Sequence, residues 1–112
     1  MITVVGFAAA AVLGALARAE TGHRFNRHEG VAVGTLLVNV VGSFLLGLLW
    51  NVAPPLVTVV GTAGLGAFTT FSSFARDAVA LAEERQVAQA ALYVAVSVTA
   101  GVAAAALGVA LA

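Results

Sequence analysis

The sequence predicts an all-α membrane protein of four transmembrane helices, the third of them broken. Three observations carry that prediction. Of the 112 residues, 62% are hydrophobic and 9% charged, far from the balance of a soluble globular domain. The five basic and five acidic side chains fall into two clusters, Arg18–Glu29 and Arg76–Arg85, so residues 1–17, 30–75 and 86–112 carry no charge. Within the central run lies GTAGLGAFTTFSSFAR (Gly61–Arg76), a composition that an unbroken membrane helix does not need.

A helix needs about 20 apolar residues to cross a bilayer. Residues 30–75 therefore make two spans and the outer runs one each, in a single domain over residues 1–112 with helices near 2–17, 31–50, 56–74 and 86–110. A soluble bundle would require charged outer faces, which these runs lack. The absence of cysteine excludes disulfides and thiol-ligated metals. Zero net charge gives no reason to expect nucleic acid as a partner. The first 17 residues lack a basic leader, so they read as a retained span and not a cleaved signal.

Helix one carries Gly6, Ala10, Gly14 and Arg18 at four-residue spacing, a flat face that lets another helix approach closely. Arg18 either snorkels to the interface or draws anions into a vestibule. The connection that follows holds His23, Arg24, Arg27 and His28; two histidines with no acidic partner at ligand spacing are a weak metal signal and read as solvated loop residues. Helix two aligns Thr35, Asn39, Ser43 and Gly47, either as an interhelical hydrogen-bonding stripe or as a pore lining. Trp50 suits the membrane interface, and Pro54 and Pro55 suit the start of helix three. In helix three, Gly64 and Gly66 weaken the helix, while the hydroxyls of Thr69, Thr70, Ser72 and Ser73 can satisfy backbone groups released by a break. Phe68, Phe71 and Phe74 recur every three residues along the same stretch. Helix four repeats the striping with Gln89, Tyr93, Ser97 and Gly101. Such small and polar faces must meet each other or a second copy.

GTLLVNVVGSFLLG (34–47) with GLGAFTTFSSF (64–74), preceded by GALAR (14–18), resembles the Fluc (CrcB) family of small fluoride channels across all four helices. The resemblance implies an antiparallel dimer of four-helix subunits that exports fluoride passively through two pores. It also implies a structural Na+ at the dimer centre on backbone carbonyls, which map to Gly66 and Thr69. The pore phenylalanines would be Phe71 and Phe74, the pore asparagine Asn39, and the helix-four track Tyr93 and Ser97. The vestibule or interface arginine would be Arg18. Ala10, Ala11, Ala19 and Ala67 depart from the family pattern in minor ways, and Gly101 stands where a further hydroxyl often extends the track.

The chemistry suits that reading. Fluoride is strongly hydrated, so its path must replace water with donors, and Asn39, Thr70, Ser73, Tyr93 and Ser97 are neutral donors. The rings of Phe71 and Phe74 carry positive edges that can face an anion, although core packing is their ordinary role. A small multidrug-type proton-coupled transporter needs a carboxylate inside the membrane, whereas Glu20, Glu29, Asp77, Glu83 and Glu84 all read as loop or helix-end residues. A non-conducting assembly subunit would explain the small faces but not Asn39 or the broken helix. An enzyme is not expected, because Ser72 and Ser73 have no base at membrane depth to activate them.

With four spans, Arg18, Arg24, Arg27, Arg76 and Arg85 all lie on one side and no basic side chain lies on the other. The positive-inside rule then places loops one and three in the cytoplasm and both termini outside the plasma membrane. Such a chain is expected to pair with an oppositely oriented paralogous subunit, with a homodimer as the alternative.

Overall fold

The computed structural model describes residues 1–26 and 31–112. Arg27 and His28, expected in the first connection, lie outside the described residues. Among the described residues the regular elements are all helical: α1 (Ile2–Phe25), α2 (Val33–Leu48), α3 (Val57–Leu65, wound as a π-helix), the single turn α4 (Gly66–Phe68), α5 (Phe71–Glu83) and α6 (Val87–Leu111). Three stretches are long and apolar enough to cross a membrane, namely Ile2–Phe25, Val57–Glu83 and Val87–Leu111; α2 is a shorter apolar helix of 16 residues.

Two boundaries differ from the sequence reading. The first helix runs past Ala17 to Phe25 because its first charges are good helix formers: Glu20 and Arg24 form an i,i+4 ion pair, and His23 and Arg24 complement the dipole in the last turn. Likewise Arg76 and Asp77 do not open a polar link. No breaker interrupts ARDAVALAE, so α5 continues to Glu83 and the turn falls at Glu84–Gln86, with Arg85 at φ 61°.

Glycines set the helix spacing. The stripe of α1 faces α3: a Cβ at Gly6 would rest 3.6 Å from Val59, and one at Gly14 would collide with the carbonyl of Gly64. Across α2 and α6 the fit is tighter still. A Cβ at Gly47 would strike the Ala105 carbonyl, and one at Gly108 the Phe44 carbonyl. Such small-residue contacts supply van der Waals packing where lipid provides no hydrophobic drive between helices. The buried apolar set is small (Ala32, Val38, Ala63, Leu81, Ala90 and Tyr93), and large apolar side chains such as Leu16, Val60, Leu92 and Val102 point outward, as suits a lipid environment. Val31, Ala32, Leu81 and Ala90 pack together, so the first connection and the turn after α5 share one end of the bundle.

Gly108→Val is expected to lower stability by about 1–3 kcal/mol through overpacking against α2, whereas Gly101→Ala, whose Cβ would have Ser43 Oγ at 3.7 Å, is expected to be tolerated. Unfolding in detergent by both variants checks the contrast; equal midpoints would show that the α2–α6 contact is not close.

Candidate functional site

The site forms where α4 ends and α5 begins. Thr69 (φ −78°, ψ 160°) and Thr70 (φ −151°, ψ 122°) are extended between the two helices, while Gly64 lies within α3 and Gly66 opens α4 in helical conformation. The backbone at Thr70 is held from another helix. Asn39 Oδ1 accepts from the Thr70 N–H at 2.7 Å, and Asn39 Nδ2 donates to the Thr70 carbonyl at 2.8 Å. The Thr70 hydroxyl then caps α5, accepting from the Ser73 N–H at 3.1 Å. These two diversions free specific carbonyls. In a continuous helix the Gly66 carbonyl would receive the Thr70 N–H and the Thr69 carbonyl the Ser73 N–H. Both donors are engaged elsewhere, so Gly66 and Thr69 offer neutral oxygens, the chemistry suited to a hard monovalent cation. Among the described residues no cluster of three or more His, Cys, Asp or Glu exists.

Two cavities meet at Thr70. A groove of about 310 Å³ is lined by Asn39, Ser43, Thr69, Thr70, Phe71, Phe74 and Ser97, among others. A polar cavity of about 340 Å³ lies toward the charged end, lined by Arg18, Asn26, Thr35, Thr70, Ser72, Ser73 and Arg76, among others. The expected pore residues thus divide: Asn39, Phe71, Phe74 and Ser97 line the first, Ser73 and Arg18 the second, and Thr70 both. Tyr93 lines neither; it is 1% exposed and stacks on Phe74 with ring centroids 5.4 Å apart. Phe71 and Phe74 sit 5.9 Å apart and tilted, with Phe71 79% exposed. Gln89, at the start of the helix-four stripe, is exposed.

Donor capacity is unevenly available. Ser43 donates to the Asn39 carbonyl and Thr69 Oγ1 to the Leu65 carbonyl, so both hydroxyl protons are committed. The Ser97 hydroxyl is buried and without a hydrogen-bond partner among the described residues, while the buried Tyr93 hydroxyl lies beside Thr35 and Asp77. Asn39 keeps its second amide N–H. A dehydrated anion in the groove would meet the free donors of Asn39 and Ser97.

Two residues escaped the sequence reading. Asp77 lies within α5, 22% exposed, and its Oδ2 accepts from the Thr35 hydroxyl at 3.1 Å. That corrects the statement that every acid occupies a loop or helix end, and with it the chemical ground for setting a transporter aside. The i,i+4 relation of Ser73 to Asp77, with no breaker between them, was the available signal. Asn26 hydrogen-bonds Thr35 from beyond α1, and no local pattern announces it.

Long apolar helices around an interior polar site define an integral membrane protein that handles a small solute or ion. The family model described as CrcB-like protein, Camphor Resistance (CrcB), matches residues 5–109. The chain belongs to that family. It is 38% identical over 109 residues to the fluoride-specific ion channel FluC 2 of Rhodococcus jostii, covering 96% of each chain. It is 41% identical over 106 residues to the fluoride-specific ion channel FluC of Rhodospirillum centenum, covering 87% of this chain and 84% of that one. Against the fluoride-specific ion channel FluC of Cereibacter sphaeroides it is 49% identical over 96 residues, covering 77% and 74%.

Asn39→Ala would leave the N–H and carbonyl of Thr70 without their partners. A stability loss of roughly 1–3 kcal/mol is expected, read as a lowered unfolding midpoint; an unchanged midpoint would mean that the Asn39–Thr70 pair does not hold the interruption.

Proposed function

We propose that this chain is a subunit of a fluoride-specific channel that lets fluoride leave the cytoplasm passively across the plasma membrane. The observation that carries the reading is the groove at Thr69–Thr70, where free donors on Asn39 and Ser97 lie beside two phenyl rings in a chain of the CrcB family. Fluoride gives up tightly held water only to comparable donors, and a path between apolar rings excludes larger anions by width. The positive edges of Phe71 and Phe74 favour an anion there, as does the N-terminus of α5, which opens directly onto the groove.

In this reading the subunits pair antiparallel, with Gly66 and Thr69 of each turned toward a structural Na+ between them. Their freed carbonyls are the supporting feature. The ion would supply a fixed positive charge that offsets the carbonyl dipoles and favours an anion nearby. Gly66 is exposed in the single subunit, and a Cβ there would find only the Gly61 carbonyl, at 3.8 Å. Gly66→Val is therefore expected to leave the subunit folded while weakening Na+ binding and dimerisation together, as judged by dimer population in sodium against an organic-cation buffer. A sodium-dependent dimer that survives the substitution would remove Gly66 from the site.

The partner is proposed to be a related subunit of reversed orientation, with loops one and three of this chain cytoplasmic. Arg24, Arg27 and Arg85 lie in or beside those two connections, and Arg18 and Arg76 lie toward the same ends of their spans. Reporters active on one side of the membrane only, fused to the C-terminus, are expected to signal from outside; equal signals from both sides would mean dual topology and a homodimer.

The decisive experiment is fluoride release from liposomes, read by a fluoride electrode beside a chloride control, with and without a candidate partner subunit. Fluoride release without chloride release is expected, and Phe71→Ile should reduce it at least tenfold, on the order of the loss of a favourable ion–ring contact. Release of neither ion in either arrangement would overturn the channel reading.

A further inference from the structure

We infer that Gly42 is a positioning residue for the Thr69 carbonyl, setting through the Thr69 side chain how that oxygen is presented to a cation. The inference rests on the sodium reading above. Helix α2 meets the interruption at two points one turn apart. At the first, Asn39 Oδ1 accepts from the Thr70 N–H at 2.7 Å. That N–H shares a trans peptide plane with the Thr69 carbonyl, so the oxygen is turned away from α2. At the second, buried Gly42 faces the Thr69 side chain. One hydrogen bond alone would let the plane swing about it, and the second contact removes that freedom.

The contact at Gly42 is with a single atom. A Cβ there would collide with the Thr69 methyl, whereas Thr69 Cβ at 3.6 Å and Phe68 Cδ2 at 3.5 Å would be ordinary van der Waals neighbours. The methyl is held in that position from the other side. Thr69 Oγ1 donates to the Leu65 carbonyl at 3.0 Å, and the Thr69 N–H donates to the same oxygen at 2.9 Å. A β-branched side chain bonded in this way has its χ1 fixed, and with it the direction of the methyl.

A side chain at position 42 would therefore have two ways to fit. Thr69 can back away from α2, which tilts the peptide plane between the two threonines and re-aims its oxygen. Alternatively it can turn about χ1, which gives up the Oγ1 bond to Leu65 and loosens the residue that carries the oxygen. Both routes act on Thr69, and Gly42 itself touches no ion. Alanine is the better helix former, so a loss on Gly42→Ala could not arise from the propensity of α2. Thr69→Ser keeps the hydroxyl and deletes the one atom in the way.

The test is a double-mutant cycle on the sodium concentration at which half of the chain is dimeric, measured in the pairing that the wild-type chain forms. Gly42→Ala is expected to raise that concentration about tenfold, on the order of one weakened polar contact to a charged group. In a Thr69→Ser background the same substitution should shift it little, because the methyl it would strike is gone. Where Gly42→Ala alone gives no dimer at any sodium concentration, the double variant decides. A restored sodium-dependent dimer then supports the assignment, and its absence overturns it. An unchanged half-point in Gly42→Ala, or an equal shift in the Thr69→Ser background, would also overturn it. So would a lowered unfolding midpoint of the sodium-free subunit with no change in sodium dependence, the mark of packing alone. A wild-type dimer indifferent to sodium would overturn the sodium reading itself.

Discussion

One reciprocal pair of hydrogen bonds carries the site: the side-chain amide of Asn39 takes over both backbone groups of Thr70. In hydrocarbon an unpaired backbone N–H or carbonyl costs several kcal/mol, on the order of the penalty for any buried polar group left without a partner. A helix can therefore be interrupted there only if something replaces its own ladder. Asn39 has one acceptor and one donor in the geometry of a peptide, so it stands in for the missing turn from an adjacent helix. Everything peculiar to the site follows from that substitution. Thr70 is released to cap α5, the carbonyls of Gly66 and Thr69 lose their usual donors, and the chain resumes as a helix whose first turn faces the groove.

The small residues serve the same arrangement. Asn39 reaches Thr70 only if α2 lies against the interruption, and a Cβ at Gly42, one turn further along α2, would collide with the Thr69 methyl. Gly47 and Gly108 bring α2 and α6 together, which places Ser97 opposite Asn39 across the groove. Gly14 and Gly64 do the same for α1 and α3, and Arg18 at the end of that stripe reaches the polar cavity. The stripes are thus spacing devices with polar ends. Their regular interval makes them visible, and their function is to set distances between groups that share no local pattern.

That distinction explains what could be read in advance. The number of helices was legible because bilayer thickness imposes a length, and the polar stripes because four-residue spacing places residues on one face. Asn39 and Ser97 stand on such stripes, whereas Phe71 and Phe74 were assigned to a pore only through the family resemblance; all four line one groove. The position of the interruption was not legible from its glycines: Gly64 serves the crossing with Gly14, and Gly66 begins a helical turn. The extended residues are threonines, held by an asparagine 31 positions earlier, and no local propensity encodes a partner so distant. The ends of α1 and α5 were misplaced for a different reason. Charge marks where a chain leaves hydrocarbon, not where it stops being helical, so Glu20–Arg24 and Arg76–Glu83 continue helices beyond the apolar runs.

The same continuation bears on orientation. Because α5 stays helical past Arg76 and Asp77, Asp77 meets Thr35 while Arg18 and Arg76 line a polar cavity toward the same end of the bundle. The opposite end carries exposed Trp50 and the uncharged turn to Pro55. A single subunit is therefore asymmetric along its length: its arginines lie toward one end, and the other carries an aromatic ring of the kind favoured at lipid headgroups. In the proposed antiparallel pair each face of the membrane would receive one charged end and one bare end. Both faces would then offer an arginine-lined entrance, although each subunit owns only one. Reversed pairing is, on this view, how an asymmetric chain makes a path that is equally accessible from either side.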